Sequence, residues 1–117
     1  MSRDLVTVAL TSGGSLKLRA DVNALCDFEA EMTRAGFDAV REMERFEQGA
    51  RPPLSVARAL VWACAVARHP DLTIRQVGAA MADDGAALVA GVLEALRLAA
   101  PAPDPDAEKP VPPIPTA

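Results

Sequence analysis

Proline placement sets the frame for this chain. Seven of its ten prolines fall within residues 101–115, and the other three, Pro52, Pro53 and Pro70, interrupt the preceding stretch at two points. Proline has no amide donor and a fixed φ, so neither a helix interior nor a central strand tolerates it. Regular structure is therefore expected in a domain over residues 1–100, broken near 52 and 70. The segment PAPDPDAEKPVPPIPTA holds almost no large apolar group that could offset the entropy of ordering it. It reads as a disordered, proline-rich, polyproline-like tail over residues 101–117. Pro110 to Pro113 and Pro112 to Pro115 match the spacing of polyproline ligands, but a passive spacer is the simpler expectation.

The chain opens with two short alternating runs, DLVTVALT and LKLRA, separated by TSGGS. Alternation of this kind around a glycine pair specifies a β-hairpin. Opposed residues must share a face, and a two-residue Gly13-Gly14 loop would set Leu10 against Lys17. A three-residue loop, Ser12-Gly13-Gly14, instead pairs Leu10 with Leu16, Val8 with Leu18 and Val6 with Ala20. Lys17 and Arg19 then stand opposite Ala9 and Thr7 on the wet face. A lone hairpin is marginal in water and must dock on helices or on a partner's strand.

Helical periodicity takes over from residue 21. Asp21 is the expected N-cap of VNALCDFEAEMTRA, with Leu25, Phe28, Met32 and Ala35 as its apolar stripe and Gly36 as its terminator. A short acidic helix from about Asp38 to Gln48 presents Val40, Met43 and Phe46. Ser55 is expected to cap VARALVWACAVAR, which is apolar nearly all round and so central, with His69-Pro70 stopping it. Thr73 and Gln76 form a capping box that opens a helix carrying Ile74, Val77 and Met81. Asp83-Asp84-Gly85 is read as a turn into a last helix with Leu88, Val92, Leu96 and Ala99 on one face. The fold class is thus α+β, mostly α: an N-terminal hairpin followed by about five helices.

Charge and cysteine usage narrow the function. The formal net charge is −4 and the pI about 4.9, which disfavours a protein held to nucleic acid by broad phosphate neutralisation. Residues 21–50 carry eight acids against three arginines, net −5, whereas residues 51–82 carry four arginines against Asp71, net +3. Internal compensation of solvated faces is the simplest reading of that contrast, with head-to-tail self-association as the alternative. Cys26 and Cys64 have neither a Cys-x-x-Cys spacing nor partner histidines, and both are expected to be reduced and buried. No run of 18 apolar residues is present, and the start lacks a basic stretch leading into an apolar one. These features lead to the expectation of a cytoplasmic protein without a membrane span.

The helix, turn and helix around Arg68–Met81 suggest a DNA-binding module. Yet the segment that would read bases, GAALVAGVLEALRLAA, offers Arg97 and Glu94 and no Asn, Gln or Lys. A helix-turn-helix regulator is therefore only a remote alternative. Enzyme chemistry is also unsupported: there is one histidine, no tyrosine, and no glycine-rich phosphate loop or Ser/His/acid set in recognisable context. His69, before Pro70, reads as a helix-end residue. No catalytic residue, cofactor or metal is expected.

The pattern LRADVNALCDFEAEM, followed by ARALVWACAVARHPDLTIRQVGAAM, resembles the small tail protein encoded in alphaproteobacterial gene transfer agents and related siphophages. The matching elements are Leu18-Arg19 leading to Asn23-Ala24-Leu25, Phe28-Glu29, Leu60 with Trp62-Ala63, and His69-Pro70-Asp71-Leu72-Thr73 with Gly78. They span about residues 16–98. Thr33 to Pro53 and the proline tail do not follow the pattern. Members of that family are described as tail assembly chaperones or as tail tube proteins. The resemblance implies a virion-assembly role, on assembling phage-like tails. The implied partners are the tape measure protein and the major tail tube protein. A tube wall needs an extensive β-sheet that one hairpin does not supply, so chaperone is favoured over tube subunit. Trp62, Leu88, Val92 and Leu96 are the candidate partner-binding residues.

Overall fold

The computed structural model describes residues 5–99, and the proline-rich tail expected over 101–117 lies outside them. Strands β1 (Val6–Ala9) and β2 (Ser15–Leu18) form an antiparallel hairpin. Four helices follow: α1 (Val22–Ala35), α2 (Ala39–Glu47), α3 (Leu54–Ala65) and α4 (Ile74–Ala99). The count is four rather than the expected five. Asp83-Asp84-Gly85 does not turn the chain back but bends one long helix, with Asp84 at φ −126° and ψ 24°.

The hairpin pairs Val6 with Leu18, Thr7 with Lys17, Val8 with Leu16 and Ala9 with Ser15. Every apolar residue keeps its expected face, but each partner on β2 lies two residues earlier than alternation suggested. A slip of two preserves side-chain parity, so face matching cannot detect it. The turn decides it. The Leu10 carbonyl accepts from Gly13 N (3.0 Å) and Leu10 N donates to the Gly14 carbonyl (3.1 Å), so the three-residue loop is Thr11-Ser12-Gly13. Gly13 and Gly14 both have positive φ, 102° and 78°. The shifted loop uses the left-handed freedom of both glycines.

The outer edge of β2 is closed. Lys17 N donates to His69 Nε2 (3.1 Å) and Arg19 N to the Cys64 carbonyl (2.9 Å). These amides would otherwise offer β2 to another strand. His69 thus serves as a sheet-edge acceptor. At the other end, the Asp84 carboxylate accepts from Thr11 N (3.0 Å) and Thr11 Oγ1 (2.6 Å). The hairpin turn is thereby fastened to the bend in α4.

Helix ends follow the capping chemistry in most places. Asp21 Oδ1 accepts from Ala24 N (2.8 Å), and Asp38 Oδ1 from Arg41 N (3.2 Å). Gly36, at φ 87°, closes α1 in a Schellman arrangement, with Phe37 N donating to the Met32 carbonyl (2.8 Å). Thr73 and Gln76 bond reciprocally, Gln76 N to Thr73 Oγ1 at 3.1 Å and Thr73 N to Gln76 Oε1 at 2.9 Å. Thr73→Ala should therefore cost ~1 kcal/mol; an unchanged denaturant midpoint would remove that role. Ser55 does not cap α3. The helix starts two residues earlier than that cap implies, at Leu54, with Pro53 at the N-cap and no side-chain cap bond; proline's fixed φ and missing N–H are tolerated at a helix entry.

The core joins all these elements. Leu16 and Leu18 from β2, Phe28 and Met32 from α1, Phe46 from α2, Val56, Leu60, Val61 and Cys64 from α3, and Val77, Leu88, Val92 and Ala95 from α4 are all buried. The α1 stripe runs through Ala24, Phe28 and Met32; Leu25 is half-buried and Ala35 exposed. On α2, Val40 faces out while Phe46 is buried. Gly91 lets the hairpin sit directly on α4: a Cβ there would lie 2.7 Å from Val8 Cγ2 and 2.9 Å from Leu18 Cδ1.

The two cysteines differ, contrary to the expectation that both are buried. Cys64 is buried and Cys26 exposed. Burial, and to a lesser degree the negative charge of Asp21, push the Cys64 thiol up to about 12. Because the thiolate is the nucleophile, a thiol reagent at mildly alkaline pH should modify Cys26 alone in the folded chain and both cysteines after unfolding. Modification of Cys64 at the rate of Cys26 would contradict this burial.

Candidate partner-binding groove

Helix α4 carries more apolar surface than the core uses. One stripe, Leu88, Val92, Ala95 and Leu96, faces inward. A second, Met81, Gly85, Val89 and Leu93, repeats every four residues, and Gly78, Ala82, Ala86 and Ala90 run beside it at the same spacing. Between this second face and the start of α3 lies an open groove of about 1130 Å³. Its walls are built from Leu54 and Ala57 on α3 and the Met81, Val89 and Leu93 row on α4. Leu54 is 82% exposed and Leu93 45%.

The groove exists because its lining is small. Glycine and alanine hold the α4 wall close to its backbone and leave space above it that the chain's own side chains do not fill. A helix about 10 Å across occupies roughly 420 Å³ per turn, so the space suits two to three turns of helix better than a small ligand. The rim is positive. Arg51 and Arg58 are the two charged residues among those lining it. The Arg58 stem lies over Gly78, where a Cβ would come within 3.3 Å of Arg58 Cδ. Its Nε is buried without a hydrogen-bond partner. On the neighbouring face, Glu31 is held below the ordinary carboxylate range, first by its hydrogen bonds from Arg34 and also by the charges of Arg34 and Arg58.

No family model, curated protein or solved structure matches this chain. The site must therefore be judged on its own geometry. Among the described residues no cluster of three or more His, Cys, Asp or Glu could hold a metal ion, and no helix is long and apolar enough to cross a membrane.

The residues favoured from sequence fall elsewhere. Leu88 and Val92 are fully buried, at 0% and 1% exposure, because their stripe is the one that packs against the rest of the core. Leu96 is half-buried against the same core. Trp62 is half-buried and its Nε1 donates to the Leu72 carbonyl (3.1 Å), tying α3 to the loop before α4. None of the four lines the groove. The groove residues Leu54, Met81, Val89 and Leu93 were readable as apolar, but only the second four-residue repeat on α4 hinted that one helix held two apolar faces. Arg58 had no sequence signal beyond its charge.

Proposed function

We propose that this protein captures an amphipathic helix of another protein, as a tail assembly chaperone does with the tape measure protein. The observation that carries the reading is the α3–α4 groove, which is mostly apolar, walled on α4 largely by glycine and alanine, open to solvent and comparable in volume to two or three turns of helix. Apolar area removed from water drives such contacts, and small wall residues let a partner's backbone approach closely. Helix-in-groove recognition of this kind is read through anchors spaced three and four residues apart. The identity of the partner comes from the resemblance of residues 16–98 to the gene transfer agent tail protein family, and the major tail tube protein is the second partner it implies.

The tube-subunit alternative asks for a sheet that extends between copies. Against it stands the β2 edge, where Lys17 N and Arg19 N are already bonded to His69 and Cys64. Co-expression decides between them. The capture reading predicts that the chain co-purifies with the tape measure protein and raises its soluble yield. A folded chain that leaves that protein insoluble, and instead adds into tubes with the major tail protein, establishes the tube reading.

A further inference from the structure

We propose that a second copy of this chain fills the groove in the free protein. About a two-fold axis, each copy lays α4 antiparallel to α4 of the other, against the other's α3. The dimer does not depend on the capture reading; only its displacement by a captured helix does.

Shape is the first observation. Two antiparallel copies of one helix can match only if their large and small residues are arranged self-complementarily about the axis. The α4 wall of the groove has that arrangement. With the axis between Gly85 and Ala86, Leu93 of one copy stands over Gly78 of the other, Val89 over Ala82 and Met81 over Ala90. Every large side chain meets glycine or alanine. Moving the axis onto Gly85 would instead set Met81 against Val89. The residues that this register covers include Ala82, Ala86, Ala90 and Leu93, all exposed in the single chain.

Charge is the second. Arg51 and Arg58 line the groove. Asp83 and Glu94 lie on α4 in one row with Ala87 and Ala90, at helical spacing, on the far side of the Ala82 and Ala86 row. The two-fold axis carries that flank onto α3 of the other copy. The stem of Arg58 crosses Gly78, so it comes to the level of Leu93 and Glu94 of the other copy. Arg58 Nε is buried with no hydrogen-bond partner inside one copy. Glu94 accepts from Arg97 Nε (2.9 Å) but leaves 45% of its side-chain surface exposed, enough to meet a second guanidinium.

The third is unburied apolar surface on α3. Leu54 is 82% exposed at the mouth of the groove, and the Ala82, Ala86 and Ala90 row of the other copy covers it. Because each copy uses the same face, the contact closes at two and cannot grow into a filament.

The test uses the full chain with Cys26→Ser, leaving only the buried Cys64. Sedimentation at high micromolar concentration should give a dimer. Under mild oxidation Ala86→Cys, beside the axis, should form a disulfide between copies. It should do so at least about fivefold faster than Val40→Cys, an exposed position on α2. Ala82→Cys alone should not, since its two copies stand about 10 Å apart along the helix pair. A mixture of Ala82→Cys chains with Val89→Cys chains should. Arg58→Glu should raise the dissociation constant at least about tenfold, and Glu94→Arg in the same chain should restore most of the loss. A monomer throughout that range would overturn the proposal. So would equal cross-linking at Ala86 and Val40, or Ala82→Cys alone cross-linking as fast as the mixed pair. A monomer that still holds the tape measure protein would leave the capture reading intact. A dimer with this register that fails to hold it would remove that reading and keep this one.

Discussion

Leu88→Asp combined with Val92→Asp should unfold the chain. Both side chains are almost wholly buried, Leu88 at 0% and Val92 at 1% exposure, in the layer where α4 meets α3 and the hairpin. Each substitution removes about 1.5–3 kcal/mol of apolar burial. Each also places a carboxylate where it finds no partner, at a further cost of several kcal/mol. Domains of this size have roughly 5–15 kcal/mol of total stability, so the pair exceeds what the fold can absorb. Far-ultraviolet circular dichroism would report the collapse as loss of helical signal. A helical, cooperatively melting double variant would mean that the stripe is surface and that α4 is rotated from its described position.

Gly91→Leu should be the most damaging single substitution on α4. Even the first added carbon would lie within 3.0 Å of Val8 and Leu18 side-chain atoms, and the remaining three have no space between hairpin and helix. Leucine favours helix over glycine by somewhat under ~1 kcal/mol, whereas overpacking of this kind costs ~3 kcal/mol or more. The sum is a net loss of at least ~2 kcal/mol, read as a lower melting temperature or denaturant midpoint. An unchanged or raised midpoint would show that the hairpin does not press on α4. Gly91→Ala separates the two effects, since it gains helix propensity while requiring the smallest shift of Val8 and Leu18.

Much of the fold was legible because local chemistry and the packed structure agree. Asp21 with Gly36 bounds α1, Thr73 with Gln76 opens α4, and the hairpin's faces follow simple alternation. What escaped was information held between elements. Hairpin register depended on which glycines took left-handed backbone, since parity alone leaves a slip of two undetected. The bend at Asp84 looked like a turn because Asp-Asp-Gly is turn-forming in isolation, whereas here the Asp84 carboxylate holds Thr11. Ser55 had the right chemistry for a cap but followed a proline that had already started the helix. That the Leu88 and Val92 stripe is core was hidden for a related reason. Two apolar faces on one helix are equivalent in sequence, and only packing against the rest of the core decides which of them is inside.

The central claim is that the α3–α4 groove, rather than the Leu88 and Val92 stripe, holds a partner. Leu54→Asp with Leu93→Asp tests it most directly, because both residues line the groove and both are exposed, Leu54 at 82% and Leu93 at 45%, so the fold does not depend on them. Binding of the tape measure protein to this variant should be measured beside a melting curve. The account predicts a melt close to that of the parent, and a loss of about 3 kcal/mol or more of binding from the apolar contacts removed, at least a hundredfold in Kd. A normally folded variant that binds as tightly as the parent would contradict it.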